Sequence, residues 1–106
     1  MEFRNKVVIV TGSGKGIGRS IAMGYALEGA NVIVAEKNEI SGSETEKSIL
    51  SAGGTAKFIR TDVSNPQDIK AMVSKAVELF GTVDIMINNA GISKWQSPYE
   101  ILKQRA

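Results

Sequence analysis

Strand-like and helix-like segments alternate without interruption along this chain, and that alternation restricts the fold more than any other feature. The run Val7 to Val10 is continuously apolar and β-branched, as a strand covered on both faces must be. From Gly16 to Glu28 apolar and small residues recur at helical spacing, with Ile17, Ile21 and Tyr25 flanked by Ala22 and Ala26, and Gly29 stops the helix. Asn31 to Ala35 predicts a second buried strand. Ser41 opens a polar helix through a capping box with Glu44, and Gly53 and Gly54 end it. Ala56 to Arg60 is a short third strand. Ser64 to Gln67 forms another capping box, with Pro66 tolerated in the first turn. Ile69, Met72, Val73, Ala76, Val77 and Phe80 then mark the cleanest amphipathic helix, closed by Gly81. Asp84 to Ile87 predicts a fourth strand, and Pro98 to Gln104 a last short helix.

This order implies an α/β fold with a parallel sheet and right-handed crossovers. The expected architecture is a Rossmann-like doubly wound sheet of order 3-2-1-4, with the first strand central. No repeat, linker or low-complexity tract divides the 106 residues, so they are read as a single domain. A net charge of +2, with lysines and arginines scattered, offers no basic stripe for nucleic acid. The absence of cysteine and histidine excludes disulfides, thiolate metal sites and histidine general-base catalysis. The polar start MEFRNK and the short apolar run behind it do not make a signal peptide or a membrane span, so a cytoplasmic location is expected. The initial methionine reads as a native start, and the end LKQRA carries no such mark.

Directly after the first strand stands TGSGKGIG, Thr11 to Gly18. Two phosphate-binding devices are candidates. A Walker A loop needs G-x-x-x-x-G-K-[ST]; here Gly14-Lys15 is followed by Gly16, and the position five before Gly14 is Ile9. The strict dinucleotide pattern G-x-G-x-x-G also fails, since its third glycine falls on Ile17 or Arg19. What remains is Gly12, Gly16 and Gly18 in G-x-x-x-G-x-G spacing. Gly12 can turn out of the strand, Gly16 can admit a pyrophosphate to the helix N-terminus, and Gly18 can let the helix pack closely on the sheet.

Thr11-Gly12-x-x-x-Gly16-Ile17-Gly18 closely resembles the coenzyme loop of the short-chain dehydrogenase/reductase family. Asp62-Val63 resembles the family's adenine-contacting pair, Asn88-Asn89-Ala90-Gly91 its NNAG motif, and Gly29-Ala30-x-Val32 its approach to the second strand. The resemblance implies a coenzyme site of Gly12, Ser13, Lys15, Gly16, Ile17, Gly18, Glu36, Asp62, Val63, Asn89, Ala90 and Gly91. Glu36, eighteen residues beyond Gly18, is placed to accept hydrogen bonds from adenosine ribose hydroxyls. A carboxylate there repels a 2′-phosphate and favours NAD; Lys15 and Lys37 sit where NADP-preferring members often carry basic residues, so NADP is the alternative.

The family moves a hydride between NAD(P) and an alcohol or carbonyl, with a tyrosine as proton donor or acceptor. A lysine one helical turn on lowers that tyrosine's pKa, and a serine upstream holds the substrate oxygen. Tyr99 and Lys103 have the right spacing, but they follow the NNAG motif immediately, where the family interposes a helix and a strand. No serine lies between Val83 and Ile92, and Ser93 and Ser97 are too near to serve. The pair reads as surface residues, and Trp95 as cleft edge or packing residue. No catalytic residue and no metal site is therefore expected, and the chain matches the front half of such an enzyme, inactive alone. The rival reading is a non-catalytic dinucleotide-binding or assembly module. With its fourth strand at an edge and one helix alone on a sheet face, the chain is expected to self-associate.

Overall fold

The computed structural model describes residues 1–90. Its seven elements are β1 (Val7–Thr11), α1 (Gly16–Leu27), β2 (Asn31–Glu36), α2 (Glu39–Ser51), β3 (Thr55–Arg60), α3 (Pro66–Phe80) and β4 (Ile85–Asn88). The strands form one parallel sheet of order β3-β2-β1-β4. This is the order the alternating pattern predicts, with β1 central. The expected helix at Pro98 to Gln104, the Tyr99 and Lys103 pair, Trp95 and Gly91 lie outside the described residues.

Side chains of a strand alternate between faces, and both faces of this sheet are covered, so β1 and β2 need apolar residues at every interior position. Val8, Val10, Val32 and Val34 pack with Ala22 and Ala26 of α1 and Ile49 of α2. Ile9, Ile33 and Ala35 face the other way, against Met72 and Ala76 of α3. Each fully buried valine or isoleucine contributes about 1.5–3 kcal/mol relative to leaving it in water. The small side chains Gly18, Ala22 and Ala26 form the buried stripe of α1 and let that helix lie close to β1. The buried stripe of α2 is Ser41, Gly42, Thr45 and Ile49.

Both predicted capping boxes are displaced. Helix α2 starts at Glu39, and its cap is Asn38, whose side chain accepts from the Ser41 amide at 2.9 Å. Ser41 is instead a buried first-turn residue. Helix α3 starts at Pro66 under Asn65, whose side-chain oxygen accepts from the Gln67 amide at 2.9 Å. Ser64 is diverted: its hydroxyl and amide both donate to Asp62 Oδ1, at 2.6 and 3.0 Å. In each case an asparagine immediately before the first helical residue is the acceptor. Strand β4 begins one residue later than expected because Asp84 uses its side chain on the Val7 amide at 2.8 Å, while its own amide donates to the Val7 carbonyl at 2.9 Å. Among the described residues no helix is long and apolar enough to cross a membrane.

Candidate functional site

The carboxyl ends of all four strands open into one cleft, lined by Gly12, Glu36, Lys37, Thr61, Asp62, Val63, Asn89 and Ala90. Strand order reverses between β1 and β4, so this is the switch point of the sheet, where a doubly wound fold leaves room for a ligand.

The floor is tied together by Thr11, which is fully buried. Its hydroxyl oxygen accepts from the Ala90 amide at 3.1 Å, and its proton faces Asn88 Oδ1 at 3.2 Å and the Ile87 carbonyl at 3.3 Å. Asn89 adds a second cross-link, donating through Nδ2 to the Gly12 carbonyl at 3.2 Å. The β4 loop is thereby fixed against the glycine loop before any ligand arrives.

Two glycines of the loop adopt left-handed conformations, Gly12 at φ 63° and Gly16 at φ 56°. A Cβ on Gly12 would press on Ala90 at 3.0 Å, whereas one on Gly16 would meet nothing within 4 Å. The first position is closed by β4, and the second faces open space. Gly18 is buried under Gly12, as close helix–sheet packing requires. Lys15 and Ile17 are exposed, and the Ser13 side chain is turned inward, its hydroxyl donating to the Val10 carbonyl at 2.7 Å.

The three helices differ at their N-termini. Asn38 caps α2 and Asn65 caps α3, each with an acidic residue in the first turn. Helix α1 has neither a side-chain cap at Lys15 nor an acid in its first turn. Its leading amides and the positive end of its dipole are left for an anion.

Glu36 lies at the end of β2 and is half-buried. Its Oε1 accepts from the Gly14 amide at 3.0 Å and its Oε2 from the Asn38 amide at 2.9 Å. Across the cleft, Asp62 is held below the usual carboxylate range, chiefly by the Ser64 hydroxyl, then by the Ser64 amide, with smaller help from Lys37 and Arg60. Lys37 Nζ stands 3.7 Å from Asp62 Oδ2. Thus Asp62 both shapes the approach to α3 and lines the cleft.

Sequence reasoning gave no role to Gly14, Thr45 or Thr61, and read Ser41 only as a helix cap. Gly14 is buried, its carbonyl accepting from the Thr45 hydroxyl at 3.3 Å. Thr61 is buried at the cleft wall, its amide donating to the Glu36 carbonyl at 3.0 Å. A signal for Ser41 and Thr45 was present in the small residues spaced four apart on α2, which read as polar surface because none is strongly apolar.

The profile of the short chain dehydrogenase family matches residues 6–106. The chain is 47% identical over 96 residues to the short chain dehydrogenase/reductase astE of Aspergillus oryzae, covering 90% of this chain and 37% of that protein. A crystal structure of hydroxysteroid dehydrogenase from Escherichia coli superposes with a TM-score of 0.84 at 32% identity, covering 97% of this chain and 45% of the other. A short-chain dehydrogenase/reductase from Burkholderia phymatum, solved in complex with NAD, superposes with a TM-score of 0.78 at 35% identity, covering 81% of this chain and 31% of the other. The chain therefore spans less than half the length of each of these relatives.

Proposed function

This chain belongs to the short-chain dehydrogenase family, and from that premise we propose that it forms the coenzyme-binding part of an NAD-dependent oxidoreductase acting on an alcohol or carbonyl substrate. The observation that carries the reading is the bare N-terminus of α1 beneath Gly12 and Gly16, opening onto a cleft that ends in Glu36 and Asp62. A diphosphate fits the first part because it needs amide donors and close backbone approach. An adenosine fits the second because a ribose offers hydroxyl donors to Glu36 and the base offers an amino group toward Asp62 and Val63.

In this reading the amides from Gly16 to Gly18 hold the diphosphate, with Ser13, Lys15 and Ile17 flanking it. Glu36 takes the ribose hydroxyls, and its negative charge disfavours a 2′-phosphate, which makes NAD the coenzyme and NADP the weaker alternative. The backbone of Asn89, Ala90 and Gly91 lines the far side toward the nicotinamide ribose. Bound NAD supplies a hydride acceptor. We assign no catalytic residue and no metal ligand within residues 1–106; the family resemblance gives proton transfer to a serine and a Tyr-x-x-x-Lys pair. The substrate, the whole enzyme's turnover and a cytoplasmic location belong to the same proposal, as does treating 1–106 as one partial dinucleotide domain.

Titration calorimetry with NAD and NADP tests this. The expected result is saturable NAD binding and weaker NADP binding, with no NADH oxidation above the blank for any carbonyl offered to this chain alone. At NAD concentrations a hundredfold above Kd, the folded state gains about 2.7 kcal/mol and melts correspondingly later. Well-folded protein that shows neither heat nor a melting shift overturns the reading. Turnover by the protein extended beyond residue 106 separates an oxidoreductase from a non-catalytic binding module.

We further infer self-association through β4. Next to that edge, Phe3, Ile21, Tyr25 and Ile87 line an apolar depression on the α1 side of the sheet. The opposite edge is defended: the Glu46 carboxylate accepts the Phe58 amide at 2.6 Å, and β3 carries Lys57 and Arg60.

A further inference from the structure

We propose that Gly14 is a specificity-determining position, acting through Glu36, and this rests on the coenzyme reading above. The two residues occupy one another's space. An alanine Cβ at position 14 would stand 2.5 Å from Ser41 Oγ, 2.8 Å from Glu36 Cγ and 2.9 Å from Glu36 Oε1. Only a bare Cα at this point lets Glu36 fold beneath the glycine loop. Once there, its carboxylate is gripped from two directions, by the Gly14 amide at 3.0 Å and the Asn38 amide at 2.9 Å. The glycine thus makes a seat by having no side chain and supplies one of the seat's donors.

The seat matters because a carboxylate discriminates only where it is fixed. Each carboxylate oxygen has two lone pairs, and the backbone amides take one on each. Each oxygen keeps a further lone pair, and Glu36 is among the residues lining the cleft. There the carboxylate can accept ribose hydroxyls and oppose a phosphate. A glutamate driven out by a methyl group keeps its charge but swings into solvent, where water screens it and leaves the subsite open. Lys37, which lines the same cleft, then meets a 2′-phosphate without the opposing charge of a seated Glu36.

The same distances indicate that a substitution here moves side chains rather than the fold. The atoms a Cβ would meet belong to the side chains of Ser41 and Glu36, not to backbone, and both can rotate about χ1. Gly14 is not among the residues with positive φ, so alanine meets no backbone strain there.

The test is the ratio of NADP to NAD dissociation constants in wild type, Gly14→Ala, Glu36→Gln and the double variant. Wild type is expected to prefer NAD by at least about tenfold, which is 1.4 kcal/mol. Gly14→Ala is expected to remove most of that preference, Glu36→Gln to do the same, and the double variant to go no further than either alone. If Glu36→Gln narrows the ratio while Gly14→Ala keeps the wild-type value, the proposal falls and the coenzyme reading stands. If wild type binds both coenzymes alike, or Glu36→Gln changes nothing, the assignment of Glu36 falls and takes the proposal with it. Hydrogen exchange covers the case of a misfolded Gly14→Ala. The Gly14 amide of the wild type should be protected before coenzyme is added and exposed in Glu36→Ala; an unprotected wild-type amide overturns the proposal alone.

Discussion

Gly18 lies so closely beneath the carbonyl of Gly12 that a methyl group on Gly18 would collide with that oxygen, and would stand 2.6 Å from the Asn89 side-chain nitrogen. Glycine inside a helix ordinarily costs about 0.5–1 kcal/mol relative to alanine. Here the sign reverses, because the atom in the way is backbone and cannot rotate aside. Gly18→Ala is expected to destabilise by about 1–3 kcal/mol through forced displacement of α1 from β1, and to lose NAD binding. Gly24, on the same helix with nothing within 4 Å, is the control. Gly24→Ala should gain about 0.5–1 kcal/mol in urea unfolding and leave NAD affinity unchanged.

Thr11→Val replaces a buried hydroxyl by a methyl of similar size. It orphans the Ala90 amide and the Asn88 side chain together. A loss of about 1–3 kcal/mol is expected, the cost of an unsatisfied buried group rather than of one net hydrogen bond. Exchange at the Ala90 amide should rise by more than exchange in α3, since that amide donates to the Thr11 hydroxyl directly.

Asp62 gives the protein a predictable acid limb. Its carboxyl is held below the ordinary aspartate range in the folded state, first by the Ser64 hydroxyl. A depressed folded value means the stabilisation is complete above the unfolded value and is lost as pH falls through the folded one. Melting temperature should therefore decline below about pH 4 more steeply in wild type than in Asp62→Asn. Ser64→Ala should move the Asp62 carboxyl back toward its ordinary value in an NMR titration.

Ile87→Lys places a charge in the apolar depression beside β4. Sedimentation should show the wild type self-associating and this variant monomeric, with coenzyme affinity retained because Ile87 is not among the residues lining the cleft. A monomeric wild type at high concentration would refute association through this edge.

The sheet was legible in the sequence because the cause was local. Val7 to Val10 and Asn31 to Ala35 are apolar at consecutive positions, and only a strand buried on both faces asks for that. The turn of the glycine loop was legible as well: Gly12 and Gly16 take left-handed φ, and Gly18 packs directly under Gly12. The helix starts were misread where a side chain was recruited from elsewhere. Ser64 was drawn back to Asp62, and Ser41 was buried beside Gly14, a residue far away in sequence. The seat of Glu36 was invisible for the same reason. Its role depends on an empty volume at Gly14 and an amide at Asn38, and neither a missing atom nor a backbone donor leaves a mark in side-chain pattern.

The guarded β3 margin bears on what can be assembled from this sheet. Among the described residues, Glu46 and the charges of β3 disfavour growth on that side and leave β4 as the margin for a second copy. Two copies joined there by a twofold axis would present β3 at both outer margins, and the assembly would terminate itself at a pair instead of propagating into a fibre.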